Sequence, residues 1–155
     1  RRTLRFFERH LEVDAREKLS LLADLGVALR DGQLNVYYQP QIRLQDGALV
    51  GFEALVRWQH PTRGMVPPVQ FIALAEDSGL IVPLGRWVLE RACRDAKAWP
   101  ADKRVAVNVS AVEFERTDIR RVVREVLDLT WLPVARLELE LTESSLLADA
   151  ATATR

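Results

Sequence analysis

Three segments of the chain alternate apolar and polar residues with a period of two: Gly51 to Trp58, Arg104 to Ser110, and Arg136 to Thr142. Between them lie stretches whose apolar residues recur every three or four positions. This order constrains the fold more than any other feature, because parallel strands need long crossover connections, usually helical, whereas antiparallel strands can be joined by tight turns. In a strand, alternate residues share a side. Phe52, Ala54 and Val56 therefore point one way, as do Val105, Val107 and Val109, and Leu137, Leu139 and Leu141. The opposite faces carry Glu53, Leu55 and Arg57, then Asn108, then Glu138 and Glu140.

The remaining elements follow from local signals. Leu19, Leu22, Leu25 and Leu29 place an amphipathic helix over 15–30, ended by Asp31-Gly32. Leu34 to Gln39 reads as a strand broken by Pro40, and Gln45-Asp46-Gly47 as the turn of a hairpin that leads into the Glu53 strand. Residues 60–68 read as a rigid, proline-bearing loop. A short helix runs from Val69 to Asp77 and stops at Ser78-Gly79. A longer one carries the stripe Leu84, Val88, Ala92, Ala96 and Trp99 and ends at Pro100. Asp118 caps a further helix with Ile119, Val122, Val123, Val126 and Leu127 inside, and Pro133 marks its exit.

At 155 residues the chain can bury one core, yet it is short for a closed (β/α) barrel of about 250 residues. Lys and Arg number 22 against 22 Asp and Glu, so no global field draws in a nucleic-acid polymer or an anionic membrane, and an anionic ligand must be held locally. The single cysteine, Cys93, excludes an internal disulfide, and its helical position favours a buried, inert thiol. No apolar run is long enough for a membrane span and no signal-peptide pattern opens the chain, from which a cytoplasmic setting without membrane contact is expected.

Glu53, Asn108 and Glu140 lie late in their strands or on the shared polar face, and ligand groups of parallel barrels collect near the carboxyl ends of strands. Glutamate and asparagine offer hard oxygen donors, which suit Mg²⁺, Mn²⁺ or Ca²⁺ rather than copper or structural zinc. The competing reading is a polar sheet face turned to solvent, as in antiparallel sheets with one wet side. Periodicity does not choose between Glu138 and Glu140. Arg57 lies four residues beyond Glu53, roughly 13 Å along a strand; it reads either as a phosphate contact or as the partner of a core carboxylate.

Five motifs in order resemble the EAL family of cyclic di-GMP phosphodiesterases: Tyr38-Gln39-Pro40-Gln41; Glu53-Ala54-Leu55-Val56-Arg57-Trp58; the Pro68, Phe71-Ile72, Leu74-Ala75-Glu76 and Gly79-Leu80-Ile81 series; Val107-Asn108-Val109-Ser110; and Glu138 to Ser144. The resemblance implies an α/β fold that is part of a modified TIM-like (β/α)₈ barrel with one antiparallel strand, truncated after about half the barrel. It makes Glu53, Asn108 and Glu140 metal ligands for Mg²⁺ or Mn²⁺, favouring Glu140 over Glu138. It makes Gln39, Leu55 and Arg57 substrate contacts, and Glu143 a residue that holds a loop shaping the metal site. Glu53 and Glu143 are thus the catalytic candidates. The implied reaction hydrolyses one phosphodiester of cyclic di-GMP to linear pGpG, with a metal-activated water attacking in line.

Residues 1–14 are similar to a linker or the tail of a preceding GGDEF domain, with 15–155 the N-terminal portion of an EAL domain. The partners implied are cyclic di-GMP, a second copy through the barrel, and a neighbouring GGDEF or sensor domain. The family's Asp-Asp-Phe-Gly-like stretch, lysine and further glutamate are not in this chain. The 155 residues alone are therefore expected to be inactive, with hydrolysis a property of the complete domain. Two other expectations stay open: a module that binds the nucleotide or a protein without cleavage, and a small self-sufficient α/β fold with no active site.

Overall fold

A computed structural model describes residues 2–141; along residues 2–14 only the backbone helix is described. Helix α1 covers Arg2–Asp31 and is followed by strand β1, Leu34–Ile42. The helix begins earlier than the leucine periodicity suggests, since residues 2–14 contain neither glycine nor proline to stop it. Its C-terminal half buries Leu21, Leu25 and Ala28, and Gly32, at φ 71°, supplies the left-handed exit.

Strand β2, Leu49–His60, pairs antiparallel with β1, joined by a turn in which Gly47 donates to the Arg43 carbonyl. The hairpin is as expected, but Pro40 does not break its strand: β1 continues through Pro40 opposite Phe52, with an irregularity only at Gln41/Ile42. β1 lies at an edge of the sheet, and an edge strand tolerates a proline whose missing N–H faces away from the ladder. The loop predicted over 60–68 contains a short strand, β3, Gly64–Val66, folded back on the end of β2.

Helices α2 (Pro68–Ser78) and α3 (Ile81–Ala96) lead to strand β4, Arg104–Val109, which pairs parallel with β2. Trp99 falls outside α3; it folds back so that its ring meets Tyr38 and Phe52 at centroid distances of 5.0 and 4.7 Å. A one-and-a-half-turn helix, α4 (Ala111–Arg116), precedes α5 (Ile119–Thr130), and strand β5, Leu137–Leu141, closes the described chain parallel to β4. Asp118 caps α5 as its sequence position suggests, accepting from the Arg121 N–H.

The sheet order is β1-β2-β4-β5 with β3 appended to β2. It is an open α/β sheet of mixed strands, not closed into a barrel over the described residues. Its outer face supplies Ala54, Trp58, Val105 and Val107 to a core completed by Leu25 of α1, Phe71 and Ala75 of α2, Leu84 and Ala92 of α3, and Val126 of α5. Cys93 is fully buried there, and burial pushes its thiol up to about 11, so a reactive thiolate is not available. The leucine face of β5 departs from expectation: Leu137 joins the core margin, but Leu139 and Leu141 are 39% and 56% exposed, because α5 packs chiefly on α3 and no described helix makes an extensive contact with β5. Arg136 is buried and has no carboxylate among the described ion pairs. It donates to the carbonyls of Lys103 at 2.8 Å and Ala96 at 2.7 Å, so the cation meets the negative end of α3 and ties it to the start of β4.

Candidate active site

The polar face opposite the helices is where the candidate residues meet. In register, Gln39 of β1 stands opposite Glu53 of β2, Glu53 opposite Ala106 of β4, and Asn108 of β4 opposite Glu140 of β5. Gly51 is required for this arrangement, because a Cβ at that position would run into the Arg104 carbonyl where β2 and β4 approach. Two residues on, the Asn108 amide donates to Glu53 Oε1 at 2.6 Å. Gln41 of β1 donates to Glu140 Oε1 at 3.2 Å although their strands lie at opposite edges of the path. The site is thus one concave face drawing on four strands, three of them parallel, and the alternative of a wet antiparallel sheet does not describe it.

Glu138 and Glu140, equivalent by periodicity, have different surroundings. Glu138 is exposed and lies 3.9 Å from Arg104, whereas Glu140 is half-buried and held by a neutral amide. Arg57 also departs from one of its two expectations. Among the described ion pairs it has no carboxylate; its Nη1 donates to the Val56 carbonyl at 2.9 Å and its guanidinium stands 6.0 Å from the centroid of the Tyr37 ring. Its remaining donors are open to an anion.

Leu55, Arg57 and Asn108 line a cavity of about 230 Å³ at the carboxyl ends of β2 and β4, with Pro68 and Ile72 of α2 and Leu84 of α3 around it. That volume is below the 300–1,000 Å³ usual for a drug-sized ligand, so it suits one apolar part of a larger molecule. Gln39 is exposed on the same face. Glu143 lies outside the described residues. No group of three or more His, Cys, Asp or Glu side chains clusters among the described residues. The oxygen donors that meet here, the carboxylates of Glu53 and Glu140 and the side-chain amide of Asn108, are all hard and suit Mg²⁺ or Mn²⁺ better than any softer metal.

Two residues here escaped the sequence reading. Gln41 lies two positions from Gln39 and so on the same face, a signal that was legible. Glu113 belongs to α4, which was not anticipated. Ser110 Oγ accepts from the Glu113 N–H at 3.1 Å and the Glu113 carboxyl takes a bond from the Ser110 backbone, the reciprocal pattern that a Ser-x-x-Glu sequence makes at a helix start. The carboxyl is buried against Gly85, where a Cβ would run into it, and it lines the cavity. Burial raises it from 4.5 to about 7, with the Ser110 bond pulling the other way.

Between those values the folded chain retains a proton that the unfolded chain has released, so Glu113 favours folding fully below about pH 4.5 and loses that contribution as pH rises through about 7. Denaturant midpoints followed over this interval are expected to fall less steeply with pH in Glu113→Gln, which keeps the helix start without the charge. An unaltered slope would contradict the burial of an ionisable group.

The sequence profile of the EAL domain family matches residues 22–155. The chain belongs to the EAL domain family. It is 51% identical over 145 residues to an uncharacterized signaling protein of Caulobacter vibrioides, covering 94% of this chain and 18% of that protein. It is 44% identical over 149 residues to the bifunctional diguanylate cyclase/cyclic di-GMP phosphodiesterase MucR of Pseudomonas aeruginosa, covering 94% of this chain and 22% of MucR. The EAL chain therefore spans about a fifth of these relatives. Among solved structures, that of the PaMucR phosphodiesterase in complex with c-di-GMP superposes with a TM-score of 0.78 at 43% identity, over 86% of this chain and 56% of that one. No described helix of this EAL chain is long and apolar enough to cross a membrane.

Proposed function

We propose that this chain contributes one wall of the active site of a cyclic di-GMP phosphodiesterase, whose complete domain hydrolyses the cyclic dinucleotide to linear pGpG. The observation that carries this reading is the convergence of Glu53, Asn108, Gln41 and Glu140 from four strands onto one concave face, beside an arginine with no carboxylate partner. Membership of the EAL family, and relatives whose names include cyclic di-GMP phosphodiesterase, supply the substrate class.

Glu53, Asn108 and Glu140 would hold Mg²⁺ or Mn²⁺. The bound ion would supply Lewis-acid polarisation and a water activated at neutral pH. Arg57 is placed to neutralise a non-bridging phosphodiester oxygen through its open donors, while the Tyr37 ring keeps the guanidinium oriented. Leu55 and the apolar wall beside it accept part of the nucleotide and exclude water from that side. Gln39, exposed opposite Glu53, is placed to meet the substrate at the open rim. Glu143, outside the described residues, completes the proposed set on the strength of the family motif alone.

Affinity for cyclic di-GMP and release of pGpG, measured on one preparation of the complete domain with Mg²⁺ or Mn²⁺, test the proposal. Metal-dependent turnover is expected. Tight binding with no pGpG would replace the enzyme by a nucleotide sensor, the reading favoured if the two described carboxylates are all the acid the site has. The 155 residues alone are expected to turn over negligibly, and metal-dependent hydrolysis by them would refute that half of the proposal.

A further inference from the structure

The contact between Gln41 and Glu140 is unusual for its reach. The two residues belong to β1 and β5, three strand spacings apart and, by register, four residues apart along the strands, which in a flat sheet is roughly 19 Å. A hydrogen bond over that span requires the sheet to twist and curl, and the residues between the two strands are small: Gly51 stands opposite Gln41 on β2, and Ala106 of β4 lies on the way to Glu140. Glu140 needs such an anchor, since among the described residues its strand is paired on one side only.

Resting on the reading of the site given above, we infer that Gln41 is a positioning residue: it holds one oxygen of Glu140 so that the other faces Asn108 and Glu53, where the cation binds. The choice of side chain matters. A neutral amide orients a carboxylate without cancelling its charge, whereas the arginine beside Glu138 makes that carboxylate a poor cation ligand. A carboxylate has no proton to donate at neutral pH, so the Gln41 NH₂ must be the donor.

Mn²⁺ affinity, read by electron paramagnetic resonance of the free ion in the complete domain, tests this independently of turnover. Gln41→Met keeps the length and volume but cannot donate; it is expected to weaken Mn²⁺ binding about 10- to 100-fold, the usual cost of losing an outer partner of a ligand. Gln41→Asn, one methylene short of Glu140, is expected to lose as much. In a Glu140→Ala background, where no acceptor is left for Gln41, neither change should weaken binding further. Undiminished affinity in either single variant, or an equal loss in both backgrounds, overturns the inference while leaving the site reading intact. Failure of the unsubstituted domain to bind Mn²⁺ overturns both together.

Discussion

Glu53→Gln in the complete domain lowers the rate of pGpG release by more than about 100-fold, a floor set by what loss of a mere outer-shell partner costs at metal sites. The substitution is close to isosteric and its Oε1 can still accept from Asn108, so the 2.6 Å contact that links β2 to β4 survives and the fold with it. What disappears is the negative charge. The expected signature is therefore a loss of turnover and of Mn²⁺ affinity with an unchanged denaturation midpoint. Retention of most of the activity would remove Glu53 from the site and with it the central member of the proposed donor set. A fallen midpoint accompanying lost activity would assign the carboxylate a structural role instead.

The second large effect is on stability. Trp58→Ala destabilises the fold by about 3–5 kcal/mol, the range for removing a large buried aromatic side chain. Trp58 is fully buried on the helix-facing side of β2, its ring set edge-on to Phe71 at 5.6 Å and its indole N–H donating to Gln33 Oε1 at 3.3 Å. It thus joins β2 to α2 and to the segment between α1 and β1. Urea denaturation of Trp58→Ala and Trp58→Phe separates the parts: the phenylalanine variant keeps most of the packing and loses the hydrogen bond, so it should fall between wild type and alanine. Since domains of this size are stable by only about 5–15 kcal/mol, the alanine variant is expected to be near the edge of folding. Because Trp58 follows Arg57 directly, its loss also loosens the strand that presents the guanidinium, and cyclic di-GMP affinity should drop with it.

Much of the site was legible in the chain. Period-two alternation placed Glu53 and Arg57 on one face of a strand and Asn108 and Glu140 on the corresponding faces of two others, because side-chain direction in a strand is a local property. Alternation could not say that Asn108 would touch Glu53, or that Glu138 would be taken up by Arg104, since both depend on the register of strands far apart in sequence. The short elements were also illegible. β3 has three residues and α4 six, too few for a hydrophobic period to emerge, although the Ser110-x-x-Glu113 spacing was a usable sign of the second. Pro40 misled because proline forbids a central strand but not an edge one, and edge position is a fact of topology.

By itself the sequence determined an α/β chain with a hairpin after its first helix, three strands bearing oxygen donors on one face, helices between them, and membership of a family through ordered motifs. These follow from interactions within a few residues, or from side chains whose identity is enough. Only the tertiary structure decided which of those donors meet, that Arg57 keeps its charge uncompensated by any described carboxylate, and that Gln41 reaches Glu140 across the sheet. Such contacts depend on strand order and sheet curvature, which arise when the whole core packs and are not written in any one segment.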